Sequence, residues 1–377
     1  MTIKSNTIDD LCLAVSALEN QAAFCSLPKD WQFELSGKDC KQLLHNLCTN
    51  EIKKLSAGQG CEALIIQVQG RILAHVFIFV EDGKVRVHTT GGDREALLTH
   101  FEKYIIMEEV TVNDLSTAGN LVSDTATKGR SKRHFLVTGK LAQERLEKII
   151  GQKLPQVVCG HQTVSICPPV NEPEKQVREV AAHPSGNLTT EIAKIPYGSE
   201  TFLVSCPSDK EQALVETLLA GGLFQAGDEL GRASRIEAGI PLVGIDITEK
   251  NLPQEIGRED QTISFTKGCY LGQEVVARID ALGHVNKFLV RLEILPRGEM
   301  QQESLETIFT ATTSLGWDLL AEGKKIGQLT SVSYSAPRGA LIALGVVKRG
   351  FETVGNEFEL GKSSGERGAI EATVRVI

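Results

Sequence analysis

Two tight turns most constrain how this chain can fold. Glu62 to Val68 and Ile72 to Val80 are rich in Ile, Val and Phe and read as extended, with Gln69-Gly70 between them as a turn. Asp82-Gly83 then leads into Val85 and Val87 with alternating polar residues, a strong hairpin signal. A β-meander is therefore expected here, and it needs a cover for its apolar face. The flanking segments offer one. Cys40, Leu43, Leu44, Leu47 and Cys48 recur at helical spacing, and after Asp93 so do Leu97, Leu98, Phe101, Tyr104 and Ile105.

Further along, the same mixture continues. Phe135-Leu136-Val137 precedes a helix-like Leu141 to Ile150, and Pro168 to Arg178 reads as a surface connector. Ser208-Asp209-Lys210-Glu211 has the pattern of a capping box opening a helix that Gly221-Gly222 stops. Another helix is expected from about Asp228 to Gly239, with Pro241 beyond it. From Phe288 to Ile377 short strands, polar turns and frequent Gly suggest a small all-β unit. There is no regular βαβ rhythm, and no Gly-x-Gly-x-x-Gly follows a strand. The fold class expected is α+β with a β-rich C-terminal domain.

Composition narrows the function classes. The 377 residues carry 40 Lys+Arg against 48 Asp+Glu, a net charge of −8, which disfavours direct nucleic-acid binding. The basic run Lys128, Arg130, Lys132 and Arg133 has no interleaved aromatics and reads as a solvated loop rather than an RNA contact. The stretch Val76-Phe77-Ile78-Phe79-Val80 is far short of the roughly 20 apolar residues of a membrane-spanning helix. The nine cysteines form no Cys-x-x-Cys pair, so a zinc knuckle or thioredoxin-type motif is not expected. Scattered thiols without a recognisable export signal fit a reducing compartment, and the expected location is cytoplasmic.

The densest chemical segment is Lys267-Gly268-Cys269-Tyr270-Leu271-Gly272-Gln273-Glu274, followed by Val275-Val276-Ala277-Arg278. Lys267 and Arg278 are cations near Cys269, and a neighbouring cation favours the nucleophilic thiolate. Tyr270 offers a flat face and a hydroxyl, while Gln273 and Glu274 offer groups able to read the edge of a heterocycle. The bland reading is a tight turn around a buried thiol.

Lys-Gly-Cys-Tyr-x-Gly-Gln-Glu resembles the signature of the YgfZ proteins, folate-binding relatives of the glycine-cleavage T-protein, with seven specified residues in a run of eight. Looser similarity covers Leu35 to Asp39, Leu44 to Asn50, Gln69 to Leu73, Arg235 to Pro241, Pro253 to Gly257, Ile326 to Ser331 and Ala343 to Gly345. The resemblance implies a GcvT/YgfZ-like three-domain ring. Residues 1–56 and 157–280 would form a discontinuous first domain, 57–156 an inserted ferredoxin-like domain, and 281–377 a C-terminal β-barrel.

It also implies a folate-binding accessory protein of iron–sulfur cluster assembly or repair, with an indirect effect on tRNA modification. Tetrahydrofolate would be the cofactor and iron–sulfur client or assembly proteins the partners. Cys269 would be the reactive group and Lys267 would lower its pKa or pair with the folate tail. Arg71, Arg235, Glu237, Lys267, Tyr270 and Gln273 supply the residue types a pterin with an anionic tail requires. Arg235 and Glu237 cannot share one helix face closely, so one of them is expected in a structural salt bridge. The alternative is a folate-dependent one-carbon transferase acting on an amine. Against it, the T-protein carboxylate is missing: aligning on Gly70 places Ala74 and His75 at the end of its Gly-x-x-x-[Asp/Asn]-Asp pattern. His75 could serve as a base, although a satisfied histidine on an apolar strand is the more economical reading.

Overall fold

A computed structural model describes residues 21–27, 30–116, 131–166, 188–198, 200–296, 317–335, 338–361 and 372–377. The connector 168–178 and residues Lys128 and Arg130 of the basic run lie outside these.

The expected meander is present and becomes the core of an antiparallel five-stranded sheet. Its order is Gly60–Ile66, Ile72–Glu81, Lys84–Thr89, Trp31–Ser36, Thr111–Asp114. Gly70 and Gly83 both adopt positive φ in the connecting turns, as the sequence requires. Helices Cys40–Leu47 and Arg94–Lys103 cover one face, where Leu43, Leu44, Leu47, Leu97 and Phe101 meet Ile65, Val76, Ile78 and Val87. Each such aliphatic or aromatic side chain contributes roughly 1.5–3 kcal/mol on burial. Asp93 opens the second helix by accepting from the N–H groups of Glu95 and Ala96, which fixes where it starts.

The opposite face of this sheet packs on a second, six-stranded sheet. The order there is Phe224–Gln225, Ala23–Ser26, Lys132–Thr138, Thr201–Pro207, Leu188–Lys194, His161–Ile166. Phe77 and Phe79 of the first sheet interleave with Leu136, Ala193 and Leu203 of the second. Helices Ala142–Ile150 and Glu211–Ala220 cover its outer face. Two sheets thus lie face to face, with helices outside.

The domain boundaries expected from the sequence cut across these sheets. Residues 57–156 do not build one unit: the strands from Gly60 to Thr89 pair with Trp31–Ser36, whereas Lys132–Thr138 pairs with Ala23–Ser26 and Thr201–Pro207. Those pairings join residues as far apart as Ala23 and Thr138, which no local pattern encodes. The expected capping box also differs. Ser208–Lys210 is a 3-10 turn without a side-chain cap, and Ser208 instead shares a hydroxyl hydrogen bond with Ser131 at 2.9 Å. Lys132 pairs with Glu191 and Arg133 with Glu211, so that part of the basic run is tied to the protein.

The last unit is a closed six-stranded barrel in the order Lys287–Pro296, Ala340–Lys348, Lys324–Ser335, Asp318–Ala321, Glu357–Gly361, Ala372–Val376. Its interior is filled by Leu292, Trp317, Leu319, Leu341, Val347, Phe358 and Val374. Its outer side, through Leu289, Ile342 and Leu344, packs on Ile236, Ile256, Tyr270 and Val276, so the barrel is docked against the signature segment.

Candidate functional site

The signature segment runs from an irregular stretch into helix Gln273–Leu282. Lys267 is buried, and its Nζ donates to the carbonyl oxygens of His45 at 2.7 Å, Cys48 at 2.7 Å and Asn50 at 2.8 Å. Carbonyls at a helix C-terminus lack intrahelical partners and carry the negative end of the dipole, so an ammonium is a fitting cap for helix Cys40–Leu47. Burial holds the Lys267 amine below the usual lysine range. The same segment is stitched down by Thr49, whose hydroxyl donates to Thr262 O at 2.6 Å, and by Asn50, whose amide donates to Gln261 O and Glu62 O.

This geometry corrects two expectations. Lys267 is enclosed by carbonyls and is not presented to a folate tail or to solvent beside the Cys269 thiol. Tyr270 is buried, and one of its ring faces is covered by the Lys267 ammonium, 4.7 Å from the centroid, so that face cannot stack on a pterin. Burial raises the Tyr270 hydroxyl to about 12.

Gly272 is explained by packing. It has φ +76°, and a Cβ there would lie 2.5 Å from Gln67 O and 3.2 Å from the Gly70 Cα. The hairpin turn at Gly70 and the start of helix Gln273–Leu282 are therefore in backbone contact. Gln273 sits half-buried at that start, with its N–H bonded to Tyr270 O. Arg71, on the same turn, is exposed and donates to Lys250 O at 2.6 Å. Arg278, the second cation expected near the thiol, pairs instead with Glu274.

Cys269 is exposed, and among the described cysteines it alone is. Cys48 is sealed, and its thiol is raised by burial to about 11.

Arg235 and Glu237 make their polar contacts outside this segment. Arg235 is buried, bonded to Asp246 Oδ2 and Ser331 Oγ at 2.7 Å each. Glu237 pairs with Arg338 at 2.6 Å. Both residues form ion pairs, and the Ser331 and Arg338 contacts tie helix Glu229–Glu237 to the barrel side.

His75 has both ring nitrogens occupied: Nδ1 lies 3.0 Å from Thr90 Oγ1 and Nε2 lies 2.7 Å from Glu62 Oε1. Glu62 also accepts from Arg258 Nε at 2.5 Å and from the second guanidinium nitrogen at 2.7 Å. Burial alone would raise the Glu62 carboxyl, but the hydrogen bonds from Arg258 and His75 outweigh it and hold it at about 2. His75, Glu62, Thr90 and Arg258 form a buried polar chain with every functional atom engaged, so the satisfied-histidine reading holds. Glu62 and Arg258 were not singled out from the sequence. A charged residue inside an otherwise apolar strand was the available signal.

Comparison with known proteins agrees with this architecture. Residues 288–376 match the family described as glycine cleavage T-protein C-terminal barrel domain. The chain is 24% identical over 343 residues to an aminomethyltransferase of Rippkaea orientalis, covering 87% of this chain and 79% of the relative. It is 21% identical over 351 residues to a chloroplastic protein of Arabidopsis thaliana named a "putative transferase", covering 93% of this chain and 70% of the relative. The crystal structure of glycine cleavage system aminomethyltransferase T from Bartonella henselae superposes with a TM-score of 0.72 at 16% identity, over 97% of this chain and 88% of that one. The chain has the aminomethyltransferase fold.

Proposed function

We propose that this aminomethyltransferase-like protein binds tetrahydrofolate and acts through the Cys269 thiol, as an accessory protein of iron–sulfur cluster assembly or repair. The fold and the relatives' names support the folate part. The octapeptide resemblance to YgfZ proteins supports the iron–sulfur part. The observation that carries the reading is the contrast between two positions. Cys269 stands exposed in the signature, whereas His75, where the T-protein pattern has a carboxylate, is sealed with both nitrogens bonded. A base for aminomethyl transfer is thus lacking at that position, while a nucleophile is presented elsewhere.

Among the expected contacts, Arg71, Gln273 and Glu237 keep accessible surface; Glu237 is paired with Arg338, and Arg71 and Gln273 can meet a folate. Client iron–sulfur proteins would be the partners, and any effect on tRNA modification would pass through them. A second reading, folate-dependent one-carbon transfer to an amine, draws support from the aminomethyltransferase relatives.

Anaerobic calorimetric titration with tetrahydrofolate tests the proposal. Saturable binding is expected, weakened by Arg71→Ala and retained by Cys269→Ser. Cys269→Ser should also fail to restore iron–sulfur enzyme activity in cells depleted of the protein. Full restoration by Cys269→Ser would remove the thiol from the function, and turnover of a folate with an amine would establish the second reading.

A further inference from the structure

Of the two glycines flanking the Cys-Tyr pair, only Gly272 is accounted for by the fold. Gly268 has no positive φ, and a Cβ built on it would meet a single atom, His45 Nε2, at 4.0 Å, which is ordinary contact. The chain at Gly268 is therefore bare backbone on an open side, one residue before the exposed thiol.

His45 is the side chain aimed at that bare stretch. It is 2% exposed and sits in the last turn of helix Cys40–Leu47. The Ile52 N–H donates to its Nδ1 at 3.4 Å. The Glu51 carboxylate, 3.3 Å from Nδ1, makes no hydrogen bond through that oxygen. With Nδ1 as the acceptor of that bond, a neutral ring carries its proton on Nε2. Burial first, and then the Lys267 charge, keep the imidazole neutral, at about 4. Nε2–H has no acceptor among the described residues, and neither do the backbone N–H groups of Gly268 and Cys269. Lys267 holds the arrangement together, because its Nζ bonds the carbonyl of His45 itself.

Unused N–H donors beside a thiol can stabilise an oxyanion formed by attack on a carbonyl. We propose that Cys269 is an acyl acceptor, with His45 Nε2–H and the Gly268–Cys269 backbone receiving the carbonyl oxygen. In the step, the sulfur forms a bond to the carbonyl carbon and the bond from that carbon to its leaving nitrogen or oxygen breaks. The thiol proton goes to the leaving group. Applied to a folate, this selects a one-carbon unit at the formyl level, because methyl and methylene groups have no carbonyl oxygen for the donors to hold. The inference rests on the reading of Cys269 as the reactive group.

The probe is p-nitrophenyl acetate, with iodoacetamide as the control reagent, since alkylation develops no oxyanion. The full-length protein should release one equivalent of p-nitrophenolate in a burst and gain one acetyl group by intact mass. Cys269→Ser should show neither. His45→Ala should slow the burst at least tenfold while changing iodoacetamide alkylation of Cys269 less than threefold. His45→Gln, which keeps an N–H donor, should recover part of the loss. Equal slowing of both reagents by His45→Ala would overturn the proposal and leave His45 a structural residue, as would a burst unaffected by the substitution. Cys269 inert to both reagents would instead defeat the broader proposal of a reactive thiol. With N-formyl tetrahydrofolate in place of the ester, a Cys269 adduct 28 mass units heavier identifies the formyl source. An ester-only reaction would overturn the folate assignment.

Discussion

Replacing Lys267 by Met distinguishes a structural lysine from a ligand-binding one. Met keeps most of the stem and its packing against Tyr270, so the change removes chiefly the ammonium. Three carbonyls, those of His45, Cys48 and Asn50, then lose a donor held at 2.7–2.8 Å. Hydrogen bonds to a charged group are worth about 1.5–3 kcal/mol each, which gives a gross loss of about 4.5–9 kcal/mol for the three. The folded protein no longer has to desolvate the ammonium, an opposing effect of several kcal/mol. The net expectation is a loss of about 3–5 kcal/mol, a large part of the roughly 5–15 kcal/mol typical of a domain. Arg should rescue poorly, because a planar guanidinium cannot copy a compact ammonium among three carbonyls. Urea denaturation followed by circular dichroism gives the stability difference, with tetrahydrofolate titration of the same samples at low denaturant. Lys267→Met within about 0.5 kcal/mol of the parent, but with folate binding abolished, would refute the carbonyl-cap argument and restore Lys267 as a ligand contact.

Glu62→Gln should cost about 3–5 kcal/mol, since it leaves the Arg258 guanidinium buried against a neutral group; combining it with Arg258→Met should cost less than the sum, measured as a double-mutant cycle. Acid should weaken the fold in two stages. His45 and His161 are held by burial at about 4, so relative to an unfolded value near 6.5 the stability they forfeit appears as pH falls from about 6.5 to 4, on the order of 2–3 kcal/mol each. Glu62, held at about 2, contributes stability fully present above its unfolded value near 4.5 and lost as pH falls toward 2. Urea midpoints across pH 3–8 check both, and His45→Gln should shrink the first stage while leaving the His161 part. Gly272→Ala should destabilise by well over 1 kcal/mol, through positive φ and a Cβ 2.5 Å from Gln67 O, whereas Gly283→Ala, with positive φ but open space, should cost only about 1 kcal/mol. Comparable losses at the two glycines would show that backbone contact at Gly70 does not matter.

Local pattern determined much of this protein by itself. The turns at Gly70 and Gly83, the apolar stripe from Cys40 to Cys48, the Asp93 cap and the strand-rich C-terminal barrel all follow from residues a few positions apart, because side-chain period and turn chemistry are short-range. The octapeptide around Cys269 is a local signal for the same reason. Tertiary structure alone decided the roles within it. Lys267 reads as a free cation beside a thiol until a helix 222 residues earlier in the sequence surrounds it with carbonyls. Glu62 and Arg258, 196 residues apart, become one buried ion pair that occupies His75. The division of strands between two sheets was likewise out of reach, since Ala23–Ser26 finds its partners at Lys132–Thr138 and Phe224–Gln225. Whether a charge is spent or available depends on which distant backbone comes to surround it, and that is set by packing rather than by neighbours in the chain.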